Sequence, residues 1–274
     1  MPNLGALFEA LTGAHANLQG LLYMLALSSI RSLVIFTVLP ATGSQAIPGA
    51  ARTGAVYLMT WFVAAGQTPA AFDRASIPEL LLLTGKEAFI GLIIGYTAST
   101  IFWIAEAAGT LIDDLAGFNN VQMTNPLQGE QSTPVASLLL QLSITLFYVS
   151  GGMAVLLGAL FESYRWWPLA AGVPDFHAAA SDLAIHQGEN VLLMAVKICT
   201  PIMLALVLID IGLGVIGRAA GKLEPASLSQ PIRGAVAVML LIALTSAVAV
   251  QVRDALHFTG FAAIFSGIGA PGAK

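Results

Sequence analysis

The sequence predicts an all-α protein of integral membrane type, and three observations carry that prediction. First, 57% of its 274 residues are hydrophobic and only 9% are charged, with a mean hydropathy of +0.83. An ordinary soluble domain is far more polar. Second, six apolar stretches reach or approach the roughly 20 residues that a helix needs to cross a bilayer. They lie at about residues 18–40, 51–66, 88–112, 134–161, 190–217 and 234–252. Third, a polar segment interrupts them over residues 113–134, reading DDLAGFNNVQMTNPLQGEQSTP. Loops this long without structure of their own are uncommon and are usually functional or disordered.

The elements follow in order. The first stretch carries Arg31, the earliest cation in the chain, so no basic region precedes it and a cleavable signal peptide is not expected. The second is short and lies between Pro48 and Pro69, which suggests a partial or re-entrant helix. Residues 78–83 add a brief apolar piece that extends a hairpin. In the third stretch Gly91, Gly95, Ser99, Glu106 and Asp113 fall within a sector of roughly 80° at 100° per residue. Opposite them stand Ile93, Ile101, Ile104 and Leu111. The glycines suit close helix packing. Glu106 is not explained by packing, which leaves open a face that lines an aqueous path. Between the fourth and fifth stretches, Tyr164-Arg165-Trp166-Trp167-Pro168 reads as an interfacial aromatic anchor followed by a breaker. The fifth holds Lys197 and Asp210, about 20 Å apart along one helix, with Pro201 expected to kink it. The C-terminal residues 266–274 are rich in Gly and Pro and are expected to fray.

Charge excludes several classes. A net charge of −4 with no basic cluster gives no support for nucleic-acid binding. The single cysteine, Cys199, rules out an intramolecular disulfide and reads as a small buried hydrophobe. There is no zinc-binding HExxH, no phosphate-binding loop and no GxSxG elbow. No catalytic residue, cofactor or metal is therefore expected, and Asp113 and Asp114 read as solvated loop acids. Arg31, Glu106, Lys197 and Asp210 are expected as buried charges, because a lone charge in an apolar stretch faces a partner or water. Structural pairing is favoured over a proton relay, with Glu106 and Asp210 the first candidates to hold Arg31. Lys and Arg divide evenly between the two sides of a six-span arrangement: Arg74, Lys86, Arg165, Arg253 and Lys274 against Arg52, Arg218, Lys222 and Arg233. Topology thus stays open under the positive-inside rule.

A series of short motifs resembles one known family. It begins at Lys86-Glu87-Ala88-Phe89-Ile90-Gly91, with Gly95-Tyr96, and continues through Gly109-x-x-x-Asp113, Gly117 and Asn125-Pro126. Next come Gly129-Glu130-Gln131-Ser132, Leu146-Phe147, Gly151-Gly152, Leu156-Leu157, Ser163-Tyr164 and Trp167-Pro168-Leu169. Asp210-x-Gly212-x-Gly214-x-x-Gly217-Arg218 and Leu228-Ser229-x-Pro231-Ile232-Arg233 complete it. In order and spacing, over residues 86–234, these resemble the type III secretion export-gate subunit of the SctT/FliR family, more its injectisome branch than its flagellar one. Asn125 stands where the family usually has an acid, Asn119-Asn120 where it has small residues, and Gln230 where it has Met.

The resemblance implies an all-α subunit of integral membrane-type helical hairpins, one subunit of a helical export-gate conduit, with residues 1–180 similar to SctR and 181–274 similar to the SctS hairpin. It implies SctR, SctS, SctU and SctV as partners, unfolded secreted proteins as substrates and membrane lipid as surroundings. It implies a multi-pass place in the bacterial inner membrane, within the base of a secretion machine tied to virulence. It also makes the polar loop a plug, with Gly117, Pro126 and Gly129 shaping turns and Phe118, Val121, Met123 and Leu127 supplying an apolar seal. Asn119, Asn120, Asn125, Glu130, Gln131 and Ser132 would supply polar contacts. The alternative is a small-solute secondary transporter or channel, which predicts paired broken helices in two halves; only Pro201 hints at that.

Overall fold

The computed structural model describes residues 4–44, 46–72, 76–118, 123–124, 131–172, 188–220, 231–242, 245–246 and 250. The protein is all-α. Helix α1 is Leu4–Val38, α2 is Gly49–Ala65, α3 is Ile77–Ala116, α4 is Pro134–Val149 and α5 is Gly152–Trp166. Helix α6 is Gly188–Ala220 and α7 is Pro231–Ile242. One two-residue antiparallel ladder pairs Met123 with Ser132 and Thr124 with Gln131.

Two expectations about the helices are corrected. The apolar piece at 78–83 is the start of α3 itself, a single helix of 40 residues and about 60 Å. Pro78 occupies a first-turn position where its missing N–H costs nothing, and Glu79 faces the positive end of the helix dipole. Conversely, the fourth apolar stretch is two helices, α4 and α5, bent by 69°. The break falls at Gly151, whose φ of +78° only glycine adopts without strain. Helix α6 runs on through Pro201 as one element.

Among the described residues three helices are long and apolar enough to cross a membrane: Leu18–Val38 within α1, Ile77–Ala116, and Val191–Arg218 within α6. The bent pair α4–α5 makes a fourth if it counts as one span. Of the six stretches, the fourth is broken at Gly151, which hydropathy does not sense, the second is a helix of only 17 residues, and the sixth lies in part outside the described residues.

The described residues form two compact units. One comprises those within Met1–Ser99 and Ala154–Ser181, the other those within Thr100–Met153 and Asp182–Phe258. In the first, Met24, Leu27, Ala64, Phe72, Leu83 and Leu169 form an apolar cluster. Gly91 and Gly95 bring α3 against α1: a Cβ on Gly91 would meet the Arg31 carbonyl oxygen at 2.8 Å, and one on Gly95 would meet Ile35 Cα at 3.2 Å. In the second, Ala105, Ala108, Ile112, Leu139, Cys199, Ile202 and Ala237 share one core. Cys199 is buried there, its thiol donating to the Ala108 carbonyl at 3.1 Å, as a small apolar residue would pack.

Candidate functional site

Two polar centres stand out, one in each unit. The first surrounds Arg31, which is fully buried in α1. Its Nε and Nη2 donate to the two carboxylate oxygens of Glu87 at 2.8 and 3.0 Å. Nη1 donates to the Ser163 hydroxyl at 2.7 Å and Nη2 to the Trp167 carbonyl at 3.1 Å. The Tyr164 ring lies 3.9 Å from the guanidinium carbon. Lys86, beside Glu87 and equally buried, approaches that carboxylate at 3.2 Å. Its ammonium donates to the carbonyls of Pro168, Leu169 and Ala171 at 2.9, 2.9 and 3.0 Å. Each charged group here faces partners, which is what makes a buried charge tolerable. The bidentate fork fixes the angle between α1 and α3 as well as their distance.

This centre corrects three sequence expectations. Arg31 is held by a carboxylate, but by Glu87 rather than Glu106 or Asp210. Lys86, counted among loop cations, sits inside α3 and is buried. Trp167, read as part of an interfacial anchor, is 1% exposed, so burial and its carbonyl define its role here. The missed signal was the adjacent pair Lys86-Glu87 in an otherwise apolar run. Starting the third stretch at residue 88 placed that pair outside the helix that contains it.

The second centre is the junction where α3 ends and α4 begins. Asp113, expected as a solvated acid, is fully buried. One of its carboxylate oxygens accepts from the backbone N–H groups of Val135 and Ala136, both at 3.0 Å, and the other accepts from Val135 at 3.2 Å. Those N–H groups lack partners within their own helix, so a carboxylate is drawn to them by hydrogen bonding and by the helix dipole. Asp114 is exposed, as expected. One turn before Asp113, a Cβ on Gly109 would come within 2.3 Å of Ala136 Cα, so the two backbones touch. Gly117 ends α3 with a φ of +78°, the left-handed C-terminal stop that glycine favours. Phe118 follows, its ring 3.2 Å from where a Cβ on Gly234 of α7 would be.

The aqueous-path reading of the α3 face gains no support from these positions. Gly91, Gly95, Ser99 and Asp113 all lie in helix–helix contacts. Glu106 and Lys197 are exposed on the subunit rather than buried, and Asp210 is partly exposed and ion-paired with Arg233. Apolar sequence around a charge does not distinguish a helix face turned inward from one turned outward. Of the loop positions, Met123, Gln131 and Ser132 lie in the two-residue ladder. Asn119, Asn120, Val121, Asn125, Pro126, Leu127, Gly129 and Glu130 lie outside the described residues, as do residues 266–274. Among the described residues no group of His, Cys, Asp and Glu could hold a metal ion.

The chain matches the family described as bacterial export proteins, family 1, over residues 22–258. It is 34% identical over 213 residues to the Yop proteins translocation protein T of Yersinia pestis, covering 77% of this chain and 82% of the relative. It is 26% identical over 222 residues to the surface presentation of antigens protein SpaR of Salmonella typhimurium, covering 79% and 81%. With the flagellar biosynthetic protein FliR of Bacillus subtilis it shares 25% identity over 232 residues, covering 84% and 89%. The chain belongs to the bacterial export proteins, family 1, the SctT/FliR family, and lies nearer its injectisome members than its flagellar ones.

Proposed function

We infer that the chain is a non-enzymatic, structural subunit of a type III protein export apparatus. The observation that carries this is the match to the family over residues 22–258, with relatives named for translocation and surface presentation of other proteins. It is a membrane protein whose three long apolar helices fit that setting, and it assembles with other components of the apparatus. We place it in the bacterial inner membrane, with SctR- and SctS-type subunits as direct neighbours and SctU- and SctV-type proteins as further partners. Large apolar side chains left exposed on α2 (Trp61 and Phe62) and on α6 (Leu204 and Ile211) favour burial against such neighbours or lipid. Residues 1–180 take the SctR-like role and 181–274 the SctS-like one.

Within that conduit the polar segment from Gly117 to Ser132 acts as the gate for unfolded substrate proteins. What supports this is its polar composition between apolar helices and the pinning of both its ends at one junction. Two measurements test the reading. Co-expression with the sister subunits is expected to yield a hetero-oligomer that co-purifies in mild detergent. A stable monomer that transports small solutes after reconstitution would instead favour the transporter alternative. Replacing residues 119–125 with a shorter Gly-Ser linker is expected to leave the complex assembled and the membrane permeable to small ions. A shortened protein that assembles, exports normally and leaves the membrane tight removes the gate from this segment.

A further inference from the structure

We propose that Asp113 is a positioning residue that ties the end of α3 to the start of α4, and that this junction stays closed while the subunit works in export. The inference rests on the gating role proposed for the segment between those helices, and it concerns that segment's base.

The argument starts from an exchanged cap. A helix is usually capped by the side chain of the residue just before it, which accepts from the second or third N–H. Thr133 occupies that position before α4 with extended backbone angles, yet it makes no cap bond. Its hydroxyl is buried with no hydrogen-bond partner among the described residues. The N–H groups that Thr133 would serve, those of Val135 and Ala136, are taken by Asp113, 22 and 23 residues away in sequence. A local cap fixes only the first turn of its own helix. A cap borrowed from α3 fixes the separation of two helices. It also couples a buried charge to their contact, because parting them would strand the carboxylate without donors in an apolar core.

Two further contacts give the junction little room to part. Gly109 lets the α3 backbone touch that of α4 at Ala136, with no space for a single methyl group. On the other side of Gly117, the Phe118 ring rests on Gly234 of α7. Tight backbone contact, a buried charged cap and a seated aromatic ring are the features of a fixed base, and none of them suits a hinge.

The test uses the assembled complex in its membrane, with ion leak and substrate export read in parallel. Asp113→Ala is expected to raise resting ion leak severalfold while the complex still assembles. An Asp113→Cys, Val135→Cys pair should leak likewise, and joining its two thiols with a short bifunctional reagent should restore tightness. Native Cys199 is buried in the same core as Val135, so the pair is made in a Cys199→Ala background. Export through the joined protein should continue at the wild-type rate, because the base does not open. If joining the thiols stops export, the junction is a moving part and the proposal fails. A tight membrane in Asp113→Ala beside a leaking 119–125 linker variant overturns the clamp and leaves the gate. A tight membrane in both overturns both. Should Asp113→Ala fail to assemble, the joined pair must restore assembly, and failure to do so counts against the clamp.

Discussion

The two halves of α3 solve the same problem with different chemistry. Each half must hold a second helix at backbone contact, and each uses glycine to do so: Gly91 and Gly95 against α1, Gly109 against α4. Each then adds a buried acid. In the first half, Glu87 meets a guanidinium and an ammonium, so the tie joins side chain to side chain. In the second, Asp113 meets two backbone N–H groups, so the tie joins side chain to helix end. The first arrangement needs several residues to agree: Arg31, Lys86, Glu87, Ser163 and the carbonyls after α5. The second needs one acid and any helix that starts in the right place. Loss of a member should therefore be costlier in the first half, and repairable there only by removing its partner too.

The largest expected effect tests that asymmetry. Glu87→Ala leaves Arg31 and Lys86 buried beside each other without an anion, and breaking a buried pair in this way costs about 3–5 kcal/mol. The folded subunit should become scarce, judged by its yield and its thermal aggregation midpoint in detergent. Replacing all three by apolar residues of similar size, Arg31→Met and Lys86→Met with Glu87→Leu, removes the three charges together and should recover part of the loss. Equal damage from the single and triple changes would mean that packing of the long side chains, and not charge pairing, holds α1 to α3.

A smaller effect is expected at the other half. Gly109→Ala places a methyl group 2.3 Å from Ala136 Cα, 2.6 Å from its nitrogen and 2.9 Å from the Val135 carbonyl carbon. These are backbone atoms, so α4 must shift as a body, and overpacking of this kind costs about 1–3 kcal/mol. The shift would also lengthen the Asp113 cap bonds. Stability should fall and resting ion leak should rise in the same variant. A stability loss with no added leak would separate helix contact from capping.

How far the sequence could be read follows the same division. Helical class, the short α2 and the glycine contacts of α3 were legible, because composition and small-residue spacing act locally. The break at Gly151 was not, since Phe147 and Val149 on one side and Val155 and Leu156 on the other keep the hydropathy continuous through a turn that only backbone angles reveal. The buried centres were legible in part. Arg31 demanded a carboxylate, but choosing Glu87 required knowing that α3 begins at Ile77, which places Lys86 and Glu87 well inside the helix. Asp113 looked like a loop acid because its donors lie on the far side of the polar segment, and no local pattern announces a cap supplied from 22 residues away. For Glu106 and Lys197 the sequence gives depth along a helix and leaves direction around it undetermined.

The smallest expected effect concerns glycines that pack against nothing. Gly85 lies in α3, one residue before Lys86, and is exposed with no atom within 4 Å of an added Cβ. It has the same helical setting as Gly91 and Gly95 without their close neighbour. Glycine inside a helix is less favourable than alanine by roughly 0.5–1 kcal/mol, because it has more backbone freedom to lose. Gly85→Ala should therefore raise the stability of the isolated subunit slightly, the reverse of Gly109→Ala. Its neighbours Leu81 and Leu82 are exposed apolar side chains, however, and the subunit is one part of a larger assembly. If another helix approaches here as α1 approaches Gly91, the methyl group will collide with that helix. The expected outcome is a more stable subunit that assembles at the wild-type yield. A more stable subunit that assembles poorly would move Gly85 into the class of Gly91 and Gly109, with the neighbour supplied by another chain.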